Sequence, residues 1–323
     1  MIKLKPMAAA LLSASLLASP SFAETKWDMP TPYGDGVHHT KNVRSFAEDV
    51  SKATGGDLNI VVHSGASLIK HPEIRRAVRS GQVPIGEMFM GLLGNDNPVF
   101  KADNIPFLAS NFDSAKKLWD ASRPAVEASL DKDGLKLLYA VPWPPQGFYT
   151  KQPISSAADL KGMKMRAYSP TTSRLAVLLE ATPTTVQTPE IPQAFSTGII
   201  NAMVTSPSTG VSSQAWDFVS DYTDTQAWIP KNMVIVNAKA FKRLDDAQQK
   251  AVMEAAMAAE ARGWEMAQAE TAAKTAVLAE KGMTVAQPSA QLKADLQAIG
   301  KTMGDEWAAE AGDVGKQILS AYQ

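Results

Sequence analysis

The chain has 323 residues, 45% of them hydrophobic and 20% charged, with Lys+Arg 32 against Asp+Glu 33. That length suits two domains with a core each, and the composition is that of a folded protein rather than a disordered one. The balanced charge makes nucleic acid a poor candidate partner, and the absence of Cys excludes disulfides, thiolate nucleophiles, thiolate zinc sites and iron–sulfur clusters.

The first residues carry Lys3 and Lys5, then an apolar stretch of small residues from Met7 to Ala18, then Ser21-Phe22-Ala23. This is the pattern of a secretory signal peptide, residues 1–23, cut after Ala23. The apolar run, roughly 12 residues, is too short to span a bilayer. An exported chain without Cys must be held together by its core alone.

Thr25–Met29 reads as a strand and the Pro- and Gly-rich Pro30–Gly36 as a loop. Val43, Phe46, Ala47 and Val50 recur at helical spacing, and Gly55-Gly56 ends that helix. Leu58–His63 is a β-branched strand, Pro72–Arg79 a helix, and Val83–Phe89 a strand. A helix over Phe112–Asp131 and a strand over Leu135–Val141 complete a β-α-β-α-β order, the mark of an open α/β sheet. Pro142-Trp143-Pro144-Pro145 is stiff and extended, and reads as a crossover between domains.

The alternation then restarts. Ser156–Asp159 caps a short helix, Met163–Ala167 is a strand, Thr171–Leu179 a helix, and Thr184–Val186 a strand. Thr188-Pro189 opens a helix closed by Gly198, Ile199–Val204 is a strand, and Met233–Asn237 is the last clear one. From Asp245 to Glu280 strong helix formers dominate, with apolar stripes at Val252, Ala255, Ala259, Met266, Ala273 and Val277, and at Met253, Met257 and Trp264. Either Gly263 breaks this stretch into two helices, or one helix of roughly 50 Å lies along both domains.

The sequence offers no catalytic constellation, no metal site and no cofactor motif. His38, His39, His63 and His71 lack ligand spacing. No Gly-x-Ser-x-Gly elbow, His-Glu-x-x-His pair, dinucleotide loop or phosphate loop is complete. One segment stands out. Over Met163–Ala167 the side chains alternate, so Lys164 and Arg166 share a face, with Arg166 at the strand's C-terminal end where open α/β sheets bind ligands. By local chemistry alone Arg166 is either a ligand residue or an ordinary surface arginine.

Ala158–Pro170 (ADLKGMKMRAYSP) resembles the central motif of the solute-binding proteins of tripartite ATP-independent periplasmic (TRAP) transporters, the dicarboxylate-binding (DctP) type. The order and spacing of Gly55–Leu68, Glu73–Met88, Pro189–Met203 and Lys231–Val252 are similar to the same family. The resemblance implies a two-lobed periplasmic-binding-protein fold of class α/β, with hinge strands and a long helix spanning both lobes. It places lobe I at 24–143 plus about 232–262, and lobe II at about 144–231 plus 263–323. It implies a periplasmic protein that does no chemistry. Such a protein captures an organic acid between the lobes and hands it to a small and a large integral membrane subunit.

In the family, the arginine matching Arg166 pairs with the ligand's carboxylate, a task for which guanidinium's planar fork is suited. Gln146 falls where some members binding acidic sugars carry a second arginine. That favours a monocarboxylate with an apolar or aromatic body over a citrate-like polyacid. His38, Met88 and Phe89 fall where ligands are touched on the first lobe, and either Thr205 or Ser206 supplies the polar group after the Ile199 strand. Phe148 and Tyr168 are further ligand candidates, with Trp143 flanking the cleft and Trp216 and Trp228 less supported. Asn201-Ala202 replaces the family's usual Asp-Gly, which argues against a calcium-type use of that position. A ligand-binding sensor component is the alternative, and a periplasmic hydrolase the more distant one.

Overall fold

A computed structural model describes residues 25–322. The expected signal peptide, 1–23, lies outside the described residues. The first half contains β1 (Thr25–Pro30), α1 (His38–Ala53), β2 (Leu58–His63), α2 (Ile74–Ser80), β3 (Ile85–Phe89), α3 (Phe112–Lys132) and β4 (Leu135–Pro142). The second contains β5 (Gly147–Thr150), β6 (Lys164–Ala167), α4 (Pro170–Leu178), β7 (Thr182–Thr185), α5 (Ile191–Ser196), β8 (Ala202–Thr205), α6 (Pro207–Ser212) and β9 (Asp221–Thr223). The chain closes with β10 (Lys231–Asn237), α7 (Ala238–Lys242), α8 (Asp246–Glu280), β11 (Thr284–Ala286) and α9 (Ala290–Tyr322).

β1 and β2 pair in parallel, while β10 returns from the second half of the sequence to lie antiparallel between β3 and β4. The other six strands form one sheet in the order β11-β9-β5-β8-β6-β7. A strand from late in the chain, β10, thus completes the first lobe's sheet. Trp143 N–H donates to Pro230 O, and Gln146 and Ala227 exchange hydrogen bonds with Trp228 and Gln146 carbonyls, so the two crossing segments form a ribbon. Pro144 and Pro145 stiffen one side of it.

α8 starts at a capping box between Asp245 and Gln248 and runs unbroken through Gly263 to Glu280. The single-helix expectation therefore holds over the two-helix one. Its first half packs on α1 and β4, and its second on α6 and β11. Gly263 sits where α8 comes closest to the first lobe: a side chain there would run into Val141 and Asn42. Val252, Ala255 and Ala259 are buried as the stripe predicts, but Ala273 is exposed and Ala267 and Leu278 are buried instead. The buried face shifts because the helix passes from one lobe to the other.

α9 falls in the stretch expected in lobe II, with no helix read there from the sequence. It breaks at Gly312, whose φ of 56° and ψ of −132° are open to glycine. Its first turns lie on the second lobe through Leu292 and Leu296, and the helix reaches the first lobe before the break. Trp307 and Ile318 belong to the first-lobe core with Trp119, and Tyr322 donates to Leu108 O. The last turns of a segment expected in lobe II thus return to the first lobe, drawn by these apolar side chains.

Candidate functional site

The lobes line a partly open cavity at the crossover ribbon, with about 390 Å³ of empty space counting its mouth. Its walls come from loops at strand ends: Tyr33 after β1, His71 before α2, Phe89 at the end of β3, Trp143 and Gln146 on the crossover. From the second sheet come Arg166 and Tyr168 after β6, Gln187 and Thr188 after β7, and Thr205, Ser206 and Thr209 after β8. This is the carboxyl-edge position that open α/β sheets use for ligands. Among the described residues no Asp or Glu lines it.

Among the described residues Arg166 is the cavity's one ionised side chain, and it is 3% exposed. β6 lies between β7 and β8 in parallel, which carries the guanidinium to the sheet's edge. Its Nε donates to Val186 O at 2.9 Å and its Nη2 to Thr188 Oγ1 at 3.4 Å, while Nη1 has no partner. The guanidinium lies 5.2 Å from the centre of the Tyr168 ring, a cation–π distance. Burial pushes its pKa down to about 10, so it is charged at neutral pH. A desolvated cation with an unpaired N–H is costly until an anion meets it.

The neighbouring polar groups have fixed roles. Gln146 Nε2 donates to Pro144 O, and its Oε1 accepts the Tyr168 hydroxyl at 2.9 Å. A capping box between Ser169 and Thr172 starts α4 immediately after Tyr168 and turns the chain away from the cleft. Ser206 spends its hydroxyl as the N-cap of α6, accepting Thr209 N–H and donating to Thr209 Oγ1. Thr205 makes no such side-chain bond among the described residues. His71 Nε2 accepts the Phe89 N–H at 3.0 Å, and burial pushes this imidazole down to about 4, so it is neutral.

Of the residues expected from sequence, Arg166, Gln146, Phe89, Tyr168, Thr205 and Ser206 come together in this cavity. His38, Met88 and Phe148 do not. His38 lies behind the wall, its Nε2 donating to Pro142 O and its ring 5.3 Å from Trp143. Met88 points into the first-lobe core, since it alternates with Phe89 along β3, and Phe148 is buried under the second sheet. Trp143 lines the cavity, whereas Trp228 is core and Trp216 lies beside Lys281 on another surface.

Tyr33, His71, Gln187, Thr188 and Thr209 line the cavity without having been singled out. Tyr33 sat in a stretch read only as a loop, and His71 was weighed only as a metal ligand. Thr188 carries a signal, since Thr188-Pro189 reads as a helix opening soon after a strand; the cap in the structure is Gln187, one residue earlier.

The sequence profile described as DctP, bacterial extracellular solute-binding protein, family 7, matches residues 34–310. Three solved structures share the fold closely. DctP7 of Bordetella pertussis, an extracytoplasmic solute receptor binding pyroglutamic acid, is 51% identical, with a TM-score of 0.91 over 92% of this chain and 99% of that one. DctP6 of the same organism, also binding pyroglutamic acid, is 43% identical, with a TM-score of 0.91 over 92% and 99%. A TRAP solute-binding protein from a marine metagenome, specific for pyroglutamate, is 38% identical, with a TM-score of 0.92 over 93% and 99%.

Proposed function

The chain belongs to the bacterial extracellular solute-binding proteins of family 7, and from that premise we propose that it captures pyroglutamate for uptake by a TRAP-type transporter. The observation that carries this is Arg166: a buried cation with an unpartnered nitrogen in a cavity that no acid lines among the described residues. A carboxylate is the group that such a cation lacks. One cation supports a monocarboxylate, because Gln146 brings no second charge. The kinship to three receptors of pyroglutamate at 38–51% identity supports that ligand. Its lactam makes the ligand's body more polar than the apolar body expected from sequence, in keeping with the Gln, Thr and His side chains around the cavity.

In this reading the carboxylate bridges Arg166 Nη1 and the free Thr205 hydroxyl, and Tyr168 and Phe89 flank the ring. The lobes divide as 24–143 with about 232–262, and about 144–231 with the segment from 263, except that the end of α9 returns to the first. The crossover ribbon is the hinge, and closure buries the ligand. The closed protein then docks on a small and a large membrane subunit, in the periplasm. No step needs chemistry. Isothermal titration of protein unfolded and refolded to strip bound solute tests the reading. Pyroglutamate is expected to bind at micromolar Kd or tighter, and glucuronate and citrate at least about a hundredfold more weakly. Tight binding of citrate with no heat from pyroglutamate overturns it.

A further inference from the structure

The first-lobe wall of the cavity carries polar groups whose donor and acceptor roles are set from behind. Glu87 of β3 is 2% exposed and does not line the cavity. A carboxylate only accepts. Its Oε2 takes the Thr31 hydroxyl, its Oε1 takes Asn232 Nδ2–H at 3.0 Å, and His39 Nδ1 lies 3.2 Å from Oε1. Burial works against this charge, but these three neighbours outweigh it and hold the carboxyl below its ordinary range.

With its nitrogen held by Glu87, Asn232 must turn its oxygen the other way. Oδ1 faces Trp143 Nε1 at 2.9 Å and Tyr33 Oη at 3.3 Å. An amide oxygen only accepts, so the Tyr33 proton is directed at Asn232. Burial, reinforced by the charge of Glu87, raises the Tyr33 phenol far above its usual value, so that proton stays. What the Tyr33 oxygen retains for the cavity is its lone pairs.

The next group along the wall is His71, its ring centre 5.7 Å from that of Tyr33. The Phe89 N–H can only donate, so His71 Nε2 is the bare nitrogen and the ring proton sits on Nδ1. The Gln187 side chain of the other lobe acts on this imidazole in the sense that favours its protonated form, as an acceptor facing the ring does. Gln187 therefore offers its oxygen to His71 and keeps N–H groups for the cavity. An acceptor, Tyr33, and a donor, Gln187, thus line the same cavity around His71, the complement of the edge of a cyclic amide, where N–H and C=O occupy adjacent atoms.

Resting on the pyroglutamate reading, we propose that Tyr33 is the specificity-determining residue of the cleft. Its oxygen accepts the ring N–H of a lactam acid, with Gln187 donating to the lactam carbonyl. Glu87 is the positioning residue that fixes this polarity through Asn232. A ligand that brings a ring oxygen to the same place meets lone pair with lone pair. A site built to pair a substrate N–H discriminates strongly against analogues without it.

The test is a titration of wild type, Tyr33→Phe and Glu87→Gln with two ligands. One is pyroglutamate. The other is 5-oxotetrahydrofuran-2-carboxylate, the γ-lactone in which oxygen replaces the ring N–H. Wild type is expected to prefer the lactam by about thirtyfold or more. In Tyr33→Phe the preference is expected to fall to within about threefold, with the lactone bound no worse than by wild type. In Glu87→Gln, whose amide can donate as well as accept, Asn232 is free to turn and the preference is expected to fall at least about fivefold. The ratio of two ligands on one protein does not move with a general loss of folded material. A ratio unchanged in either variant overturns the proposal while pyroglutamate binding stands. Wild type that binds neither ligand overturns the functional reading and this one with it.

Discussion

Glu270 of α8 and Ser208 of α6 meet where the long helix crosses the second lobe, the Ser208 hydroxyl donating to Glu270 Oε2 at 2.6 Å. The same oxygen lies 3.7 Å from Nδ1 of His38, at the start of α1 in the first lobe. One carboxylate oxygen thus touches both lobes beside the crossover ribbon. Burial opposes the charge, but His38 and Ser208 outweigh it and hold the Glu270 carboxyl down to about 2.

Because the folded pKa is depressed, Glu270 contributes stability that is present above its unfolded value near 4.5 and is lost as pH falls towards 2. The full contribution is on the order of 3 kcal/mol. Urea unfolding of wild type and Glu270→Gln should therefore differ at pH 6, and the difference should shrink below pH 4.5 and be mostly gone by pH 2.5. A constant difference across that range would show that the carboxylate's charge is not what joins the lobes.

Gly263→Ala sets two effects against each other. Alanine is favoured over glycine within a helix by about 1 kcal/mol. Its methyl, however, would collide with Val141 and lie 2.9 Å from Asn42 Nδ2. Overpacking of this kind costs about 1–3 kcal/mol or more. The variant should be less stable than wild type by thermal or urea unfolding, and a gain in stability would mean that α8 can lift off β4 without cost.

Most of the strands and the long helix were legible because their periodicity and their Gly and Pro boundaries are local. Arg166 was legible for a similar reason: strand alternation and the strand-end rule apply to a few consecutive residues. The rest depended on contacts distant in sequence. Whether His38 or His71 reaches the cavity is decided by Pro142 and by Phe89, which hold them from 104 and 18 residues away. Phe148 and Tyr168 look alike in sequence, yet the one faces the core and the other the cleft. The return of α9 to the first lobe rests on where Trp307 finds Pro98 O, 209 residues away.

His71 predicts acid sensitivity of a second kind. It is held neutral, its pKa pushed by burial from 6.5 to about 4. The unfolded chain takes up a proton that the folded one refuses, so this contribution is complete above pH 6.5 and is lost as pH falls towards 4. Burial pushes His39 down to about 4 as well, so the ligand-free protein should lose stability between those values with a slope approaching two protons, and His71→Gln, which can still accept the Phe89 N–H, should lower that slope by about one. An identical slope in the variant would assign the effect to another group.

Arg166→Ala carries the largest expected effect on binding. A surface position would leave the guanidinium solvated in the ligand-free protein, but here it is buried, with Nη1 unpaired. Its removal from this closed arrangement relieves a desolvated charge, so the ligand-free variant should melt at or above the wild-type temperature. Binding should fall, because truncating one member of a buried charge pair costs about 2–5 kcal/mol, or roughly thirty- to several-thousand-fold in affinity. Arg166→Lys should recover only part of this, since an ammonium cannot hold Val186 O and Thr188 while presenting a second donor to a carboxylate. Arg174→Ala is the control: Arg174 pairs with Glu306 outside the cavity, on a surface where both are more than 40% exposed. Such a pair is worth about 0–1 kcal/mol to stability, and its loss should leave affinity unchanged. Calorimetry on the three variants decides the matter: Arg166→Ala binding pyroglutamate within about threefold of wild type would remove Arg166 as the carboxylate's anchor.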